Sequence, residues 1–182
     1  MIELADKPVW LLDVDGVINA PRPGWSEAPY HGEVQAKGVF WSMRWSPTMM
    51  RQIRSIAASG AVQLVWTTTW CPWARQLELM FRLPQLIRAF TAADLDRWAT
   101  TELKLATALD VASAGHRLIW TDDDAIPIAG TAREALDAAG ALLIAPDERR
   151  GLQPADLQAI RDQLAAWDSG GAANYLDGPA EE

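Results

Sequence analysis

Short apolar segments alternate with helical patterns along most of the chain, and this alternation is the feature that most constrains its fold. The segments predicted to be strands are residues 9–13, 62–66, 117–121 and 141–145. Each is short and is bounded by turn or cap signals, as buried strands are. Strands that alternate with helices predict an α/β fold in which helices cover both faces of one parallel sheet.

Five helices are predicted from cap signals and from apolar residues at helical spacing. The first helix begins at Ser46-Pro47 and ends at Gly60, and the second begins at Pro72. The third runs from a Thr101 cap to Ala114, and the fourth runs from a Thr131-x-x-Glu134 capping box to Gly140. The fifth runs from Pro154 to Trp167. Residues 82–90 are predicted to be extended.

The bulk composition is that of a folded globular protein. Of 182 residues, 49% are hydrophobic and 22% are charged, which suits one domain of ordinary size. The formal net charge of -8 argues against non-specific binding to long nucleic acid, although a nucleotide or a nucleic-acid end can still bind in a local pocket. We expect a single domain over residues 1–168 and a flexible acidic tail over 169–182.

Cellular location is predicted from features that the sequence lacks. Cys71 is the single cysteine, so the chain cannot form an internal disulfide, which fits a reducing compartment. The first residues have neither the basic nor the apolar segment of a signal peptide, and no apolar run approaches the length of a membrane span. We therefore expect a cytoplasmic protein without a membrane partner.

Polar side chains follow three of the predicted strands at the points where the strands end. These clusters are Asp13-Val14-Asp15, Thr67–Thr69 and Asp122–Asp124. Ligands bind at the carboxyl ends of parallel strands, and carboxylates gathered there repel one another unless a cation neutralises them. An oxygen-only cluster suits Mg²⁺. The sequence therefore predicts a Mg²⁺ site near Asp13 and Asp15.

Four motifs resemble, in order, those of the haloacid dehalogenase (HAD) superfamily of phosphohydrolases. They are Asp13-Val14-Asp15-Gly16 after a strand, Thr67 or Thr68 closing the next strand, Lys104 on a later helix, and the acidic pair Asp122-Asp123. The stretches VWTTTW, WTDDD and LLIAPDERRGL are similar to a small, mostly bacterial HAD group that includes domains associated with RNA-repair proteins. The resemblance covers roughly residues 9–145 and implies a Rossmannoid three-layer fold, with a central parallel sheet and a minimal cap.

The resemblance also implies a catalytic role for each motif. Asp13 would attack phosphorus and form an aspartyl-phosphate, while Asp15 would protonate the leaving oxygen and later activate water. The hydroxyl of Thr68 or of Thr67 would hold a phosphoryl oxygen, and which of the two does so stays open. Lys104 would neutralise phosphoryl charge and orient the nucleophile.

The metal site implied by the resemblance is built on the same strand ends. Asp122 and Asp123 would bind Mg²⁺ together with Asp13 and the backbone carbonyl of Val14, and we also count Asp15 among the expected ligands. Which residues of the run 122–124 bind the metal directly is left open. Each motif taken alone has a simpler explanation, such as a helix cap, a strand end or a surface lysine. The interpretation therefore rests on the occurrence of all four motifs in the family's order.

A flap is predicted over residues 20–45, because no segment is long enough to form a large cap domain. The flap holds five aromatic residues, which are Trp25, Tyr30, Phe40, Trp41 and Trp45. They either form a platform for a flat group such as a base or pack as a small core that attaches the flap, and we favour the second. The expected function is a Mg²⁺-dependent phosphatase for a phosphorylated substrate of unknown class. The alternatives are a nucleotide or nucleic-acid 3′- or 5′-phosphatase and a non-catalytic Mg²⁺- or phosphate-binding module.

Overall fold

A computed structural model of the chain describes residues 4–173 and shows a five-stranded parallel sheet. In chain order the strands are β1 (Val9–Leu12), β2 (Tyr30–Ala36), β3 (Val39–Trp45), β4 (Gln63–Trp66), β5 (Ile87–Arg88), β6 (Leu118–Thr121) and β7 (Leu142–Ile144). The central sheet has the order β5-β4-β1-β6-β7, and all its pairings are parallel. The four predicted strands are confirmed, and the short edge strand β5 lies in the segment predicted to be extended.

Six α-helices and one 3-10 turn connect the strands. They are α1 (Pro47–Ala58), the 3-10 turn Cys71–Trp73, α2 (Ala74–Phe81), α3 (Ala92–Arg97), α4 (Thr100–Ser113), α5 (Thr131–Ala138) and α6 (Pro154–Ala173). The predicted start of α1 is confirmed, since the Ser46 side chain accepts a hydrogen bond from the Met49 N–H and Pro47 opens the helix. The short helix α3 was not predicted.

Two helix starts differ from the sequence prediction. Ala99 is the N-cap of α4, so Thr101 lies inside that helix and does not cap it. Gly130 is the N-cap of α5, and the Glu134 N–H bonds to its carbonyl. Thr131 is therefore already helical, and the predicted capping box does not form. Helix α6 continues past its predicted end, and the part of the expected tail beyond residue 173 lies outside the described residues.

The sheet separates two apolar clusters, which gives the predicted three-layer arrangement. Successive side chains of β1 point to opposite faces, so Trp10 and Leu12 lie in one cluster while Val9 and Leu11 lie in the other. Helices α1, α2 and α6 pack in the first cluster, and α4 and α5 pack in the second. No helix among residues 4–173 is long and apolar enough to cross a membrane.

The flap is an antiparallel hairpin formed by β2 and β3, strands that the sequence analysis did not predict. The side-chain amide of Gln76 on α2 bonds to both backbone groups of Gln35, at 3.0 and 2.8 Å, and thereby attaches the hairpin to that helix. Trp45 is buried against Phe81, and the Trp25 Nε1 donates to the Leu152 carbonyl. These contacts agree with the favoured interpretation that aromatic packing attaches the flap to the domain, and the structure places this packing in the main core.

The remaining aromatic side chains of the flap are not part of that core. Tyr30, Phe40 and Trp41 are 60%, 65% and 51% exposed. The flap thus has packing tryptophans and, separately, exposed rings that are available to a ligand.

Candidate active site

The register of the sheet aligns the polar residues that follow three neighbouring strands. Leu12 on the central strand pairs with Trp66 on one side and with Thr121 on the other. The next residues, Asp13, Thr67 and Asp122, therefore lie side by side at the carboxyl edge of the sheet. Backbone hydrogen bonds continue to this row, because the Asp13 N–H bonds to the Thr121 carbonyl and the Thr67 N–H to the Leu12 carbonyl.

Four carboxyl groups meet at this edge. One oxygen from each of Asp13, Asp122, Asp123 and Asp124 lies within 4.8 Å of the others. Asp13 and Asp122 are buried, Asp123 is half-buried and Asp124 is exposed. The cluster is made of oxygen donors alone, which is the ligand set of Mg²⁺ and similar hard divalent ions.

The buried part of the cluster has an oxygen without a satisfied hydrogen bond. The Oδ2 of Asp122 is buried and has no hydrogen-bond partner of good geometry within the described part of the chain. Its Oδ1 accepts bonds from the N–H groups of Asp124 and Ala125 and is thereby fixed. The Lys104 Nζ lies 2.9 Å from this oxygen but is shared with Asp13, so the carboxylates of the cluster outnumber the one ammonium and fit a divalent metal ion.

Lys104 supplies a cation to the cluster from helix α4. Its Nζ lies 2.7 Å from the Oδ2 of Asp13 and 2.9 Å from the Oδ2 of Asp122, and it is 3.5 Å from the exposed Asp124. The lysine is 5% exposed, so water screens these interactions weakly. One ammonium faces four carboxyl groups, which leaves negative charge for a further cation to neutralise.

The pKa values of the cluster reflect this excess of carboxyl groups over cations. Burial, with a contribution from the Asp122 charge, raises the pKa of Asp13 to about 7, although Lys104 opposes the shift. Burial and the neighbouring carboxylates raise the pKa of Asp123 to about 6, and burial also raises the pKa of Asp122. Burial lowers the pKa of Lys104, but the charges of Asp13 and Asp122 outweigh it and raise the value above the ordinary range.

Asp15 lies apart from the carboxylate cluster. One carboxylate oxygen accepts a hydrogen bond from the side-chain amide of Asn19 and the other from the indole Nε1 of Trp70, both at 2.7 Å. The structure does not bring this carboxylate together with Asp13 and Asp122 as a metal ligand, although the sequence analysis counted it as one. Its position at the edge of an open cavity suits an acid or base that meets a substrate.

The backbone carbonyl of Val14 does not fit its expected role as a metal ligand. Its oxygen accepts three backbone hydrogen bonds, which come from Val17, Ile18 and Asn19 at 3.3, 2.8 and 2.8 Å. A carbonyl oxygen has two lone pairs, so these donors already occupy it. The local reason is the tight turn that follows β1.

The two candidate threonines differ in where their hydroxyl groups bond. The Thr67 hydroxyl donates to the Val65 carbonyl of its own strand at 3.3 Å. The Thr68 hydroxyl accepts from the Trp70 N–H at 3.4 Å, which leaves its own proton available. Both side chains are buried at the sheet edge. The geometry therefore favours Thr68 as the donor to a bound oxyanion.

Gly16 is required by the packing against Asp123. It has a φ of +68°, a conformation that favours glycine, and a Cβ built at this position would fall on the Asp123 carboxyl group. The glycine of the first motif therefore leaves space for one member of the carboxylate cluster.

A comparison with protein families identifies the domain that carries this geometry. The model of the family described as the HAD domain in Swiss Army Knife RNA repair proteins matches residues 9–157. The chain belongs to this HAD family. The comparisons with curated proteins and with solved structures gave no match. The resemblance stated from the sequence is confirmed, and HAD membership points to phosphohydrolase-type chemistry.

The HAD domain of this chain has an open cavity of about 520 Å³ beside Asp15. The cavity lies between the flap, the 3-10 turn and the start of α4, and three tryptophans line it: Trp41, Trp70 and Trp73. Trp41 and Trp70 meet edge to face at 6.0 Å, and the Lys37 Nζ lies 5.9 Å from the centre of the Trp73 ring.

Sequence reasoning missed several of the residues that shape this part of the site. Asn19 and Trp70 hold Asp15, and Lys37 at the tip of the flap lines the cavity together with Leu95 from α3. The position of Asn19 could have predicted its contact with Asp15, since Asn19 follows Asp15 by four residues in the same turn. The position of Trp70, directly after the threonine run, was weaker evidence for such a contact.

Proposed function

We propose that this HAD domain is a Mg²⁺-dependent phosphomonoester hydrolase that works through an aspartyl-phosphate on Asp13. The observation that carries the proposal is the position of Asp13. It is a buried carboxylate at the end of the central strand, bound to Lys104 and adjacent to the carboxylate cluster. Asp15, two residues later, faces a cavity large enough for a substrate.

The first half of the reaction would transfer the phosphoryl group to Asp13. A carboxylate oxygen of Asp13 attacks phosphorus, and the bond from phosphorus to the leaving oxygen breaks. Asp15 gives that oxygen a proton, so the product leaves as an alcohol. Lys104 and the Thr68 hydroxyl donate to the phosphoryl oxygens, where negative charge is concentrated.

The second half would release inorganic phosphate. Asp15, now without its proton, takes one from a water molecule, and the resulting hydroxide attacks phosphorus while the bond to Asp13 breaks. Mg²⁺, held by Asp13, Asp122 and Asp123, would neutralise the phosphate charge that the acidic site otherwise repels. Lys104 keeps Asp13 oriented in both halves.

The test is phosphate release from a panel of phosphorylated compounds with and without Mg²⁺. The panel holds p-nitrophenyl phosphate, nucleotides, sugar phosphates and phosphorylated oligonucleotides. We expect Mg²⁺-dependent release that Asp13→Asn abolishes and that the exposed control Asp110→Asn on α4 leaves intact. Release that survives in Asp13→Asn would rule out the covalent intermediate. No release by a protein that binds Mg²⁺ would favour a non-catalytic binding module.

A second, narrower candidate is a phosphatase for nucleotides or for nucleic-acid 3′ or 5′ ends. Two observations favour it: the three tryptophans around the cavity beside Asp15, and the description of the matched family as part of RNA repair proteins. A base stacked on Trp41 would hold the leaving group next to Asp15. Stacking contributes roughly 1–3 kcal/mol per base. The net charge of -8 counts against long nucleic acid but not against an end held in this cavity.

Two flap variants separate this candidate from a general phosphatase. Trp41 faces the cavity, whereas Phe40, its neighbour on β3, points to the opposite face of the hairpin. Trp41→Ala should lower kcat/KM for a phosphorylated oligonucleotide by about 5- to 150-fold, which corresponds to the loss of one stacked base. It should leave p-nitrophenyl phosphate hydrolysis unchanged. Phe40→Ala should affect neither substrate, and equal effects of both variants would exclude the stacking role.

A further inference from the structure

A second cavity lies at the base of the flap hairpin, at the end opposite to the tip that covers the first cavity. Its volume is about 260 Å³, and it is enclosed by β2, β3, α1 and the end of α2. We call it the arginine cavity. Its lining includes Tyr30, Trp45, Arg51, Arg54, Met80 and Arg82.

Within the described part of the chain, the three arginines of this cavity have no acidic partner. No carboxylate oxygen among residues 4–173 lies within 4.0 Å of a nitrogen of Arg51, Arg54 or Arg82. Arg54 uses one donor on the Phe81 carbonyl at 2.9 Å, and Arg51 uses one on the Thr48 hydroxyl. A guanidinium has five N–H donors, so most donors of the cluster stay available.

Mutual repulsion makes this group of cations unusual in a protein of net charge -8. The pKa of Arg54 is lowered by burial and by the positive charges of Arg82 and Arg51. Surface arginines in an acidic protein have many carboxylates available as partners, yet here three cations share one concave site. An anion in the cavity would remove the repulsion and bind to planar donors that match phosphate geometry.

An exposed ring lies beside these cations. Tyr30 is 60% exposed, and its ring meets that of Trp45 edge to face at 6.3 Å. A phosphate held by the arginines would therefore have a flat apolar surface next to it. Phosphates that alternate with flat rings are the chemistry of nucleic acid, whose bases stack on aromatic side chains.

The two cavities lie along the same face of the hairpin. Side chains of a strand alternate, so Tyr30 at the arginine cavity and Ala36 at the first cavity point to the same side. Six residues at roughly 3.3 Å each separate them by about 20 Å along the strand. Between the cavities, Val34 and Met43 on this face are buried in the core, so the two cavities are separate sites.

We propose that the arginine cavity is a phosphate-binding site and that the phosphate it takes belongs to the backbone of a single-stranded nucleic acid. Arg51 and Arg82 hold the phosphate, while Arg54 adds charge and also bonds to the end of α2. Tyr30 stacks on an adjacent base. The site is separate from the carboxylate cluster, so it does not depend on the proposed hydrolysis.

The test is binding of a fluorescent single-stranded oligonucleotide of eight nucleotides with no terminal phosphate, measured by anisotropy in EDTA. These conditions remove both the metal and the hydrolysable group, so a failure of the proposed phosphatase activity does not affect the result. We expect the double variant Arg51→Gln/Arg82→Gln to weaken binding at least 10-fold. The slope of log K against log salt should fall in magnitude by about 1.4, the value for two lost phosphate contacts to a single strand.

Matched variants distinguish this site from general electrostatic attraction. The control pair of substitutions Arg22→Gln/Arg149→Gln, at exposed positions outside both cavities, makes the same change in net charge and should alter affinity less than 2-fold. Tyr30→Ala should weaken binding about 5-fold or more and leave the salt slope unchanged. Both arginines of the double variant are exposed, and its thermal unfolding should match that of the parent protein. Arg54 is left in place because it bonds to the end of α2.

Three outcomes would overturn the proposal. Equal oligonucleotide affinity in the parent protein and the double variant would exclude the site. If inorganic phosphate binds in the millimolar range through Arg51 and Arg82 but the oligonucleotide does not bind, the cavity takes free phosphate and the strand assignment fails. If a phosphoserine peptide binds through the same arginines and the oligonucleotide does not, the partner is a protein.

Discussion

The ammonium nitrogen of Lys104 lies 2.7 Å from the Oδ2 of Asp13, and both side chains are almost wholly buried. The two residues are 91 positions apart in the chain, so the fold itself creates this pair. Lys104 favours the ionised form of Asp13, which is the form that can act as a nucleophile. Burial opposes it, and burial is the larger effect.

Lys104→Met should remove phosphate release and destabilise the metal-free protein. Without the ammonium, Asp13 and Asp122 are left as buried carboxylates with no cation, a change that typically costs about 3 kcal/mol. The loss in the free energy of unfolding should be larger at pH 8 than at pH 6, because at the lower pH Asp13 can take up a proton instead. Urea denaturation at both pH values measures this.

The control for that variant is Lys7→Met, which removes an exposed lysine that makes no ion pair within the described part of the chain. Its effect should stay within about 0.5 kcal/mol at either pH. A Lys104→Met protein as stable as the parent at pH 8 would show that the pair does not hold the carboxylates.

The stability of the metal-free protein should fall as pH rises from about 4 to about 7, relative to Asp13→Asn. The pKa of Asp13 is about 7 in the folded state and near 3.8 in the unfolded state, so between these values the folded state binds more protons. The stabilisation that neutral Asp13 gives to the folded state is complete below pH 4 and is lost as the pH approaches 7. Thermal unfolding in EDTA across this range, with both proteins, measures the difference. Parallel stability curves would contradict the raised pKa.

Mg²⁺ affinity should increase as pH rises from about 5.5 to 7.5 and then level off. Metal ligands must lose their protons before they bind, and the pKa values of Asp13 and Asp123 are about 7 and about 6. Binding near pH 6 should therefore release protons. Calorimetry in two buffers of different ionisation enthalpy counts the released protons, and a heat independent of the buffer would refute the linkage.

The sequence was sufficient to predict the row of polar residues at the carboxyl edge of the sheet, because that row depends on local patterns. Each polar group directly follows a strand of a parallel sheet, and the register then aligns Asp13, Thr67 and Asp122 without further information. The order of the motifs added Lys104. The family comparison confirms the family that these motifs resemble, and the sheet confirms the expected fold class.

The missed features depend on contacts between distant parts of the chain. The sequence of the flap hairpin shows no clear alternation of apolar and polar residues, since residues 39–41 are all apolar, and the hairpin is held by Gln76, 41 residues from Gln35. Trp70 bonds to Asp15 across 55 residues. The arginine cavity forms because α1 packs near the end of α2, which brings Arg51 and Arg54 close to Arg82. None of these pairings has a sequence spacing that predicts it.

Thr68→Ala and Thr67→Ala should differ in their effect on activity. The Thr68 hydroxyl keeps a free proton, so its loss should lower kcat by about 10- to 100-fold, within the range for one lost donor to a developing charge. The Thr67 hydroxyl bonds to its own strand, so its loss should cost little activity. Each variant loses one buried hydrogen bond, so each should lose about 1 kcal/mol of stability. Steady-state kinetics separate the two variants, and urea denaturation checks that their stabilities are similar. A larger kcat loss in Thr67→Ala would reverse the assignment.

Gly16→Ala should weaken Mg²⁺ binding at least 10-fold, because the added methyl group would fall on the Asp123 carboxyl and displace it from the cluster. The change also places alanine at a φ of +68°, which by itself costs about 1 kcal/mol. Gly140→Ala is the matched control: its φ is +69°, and nothing lies within 4 Å of the new methyl group. Both variants should lose similar stability in EDTA, and only Gly16→Ala should lose metal affinity and phosphate release. If titration calorimetry gives the same Mg²⁺ affinity for both variants, Asp123 is not a metal ligand.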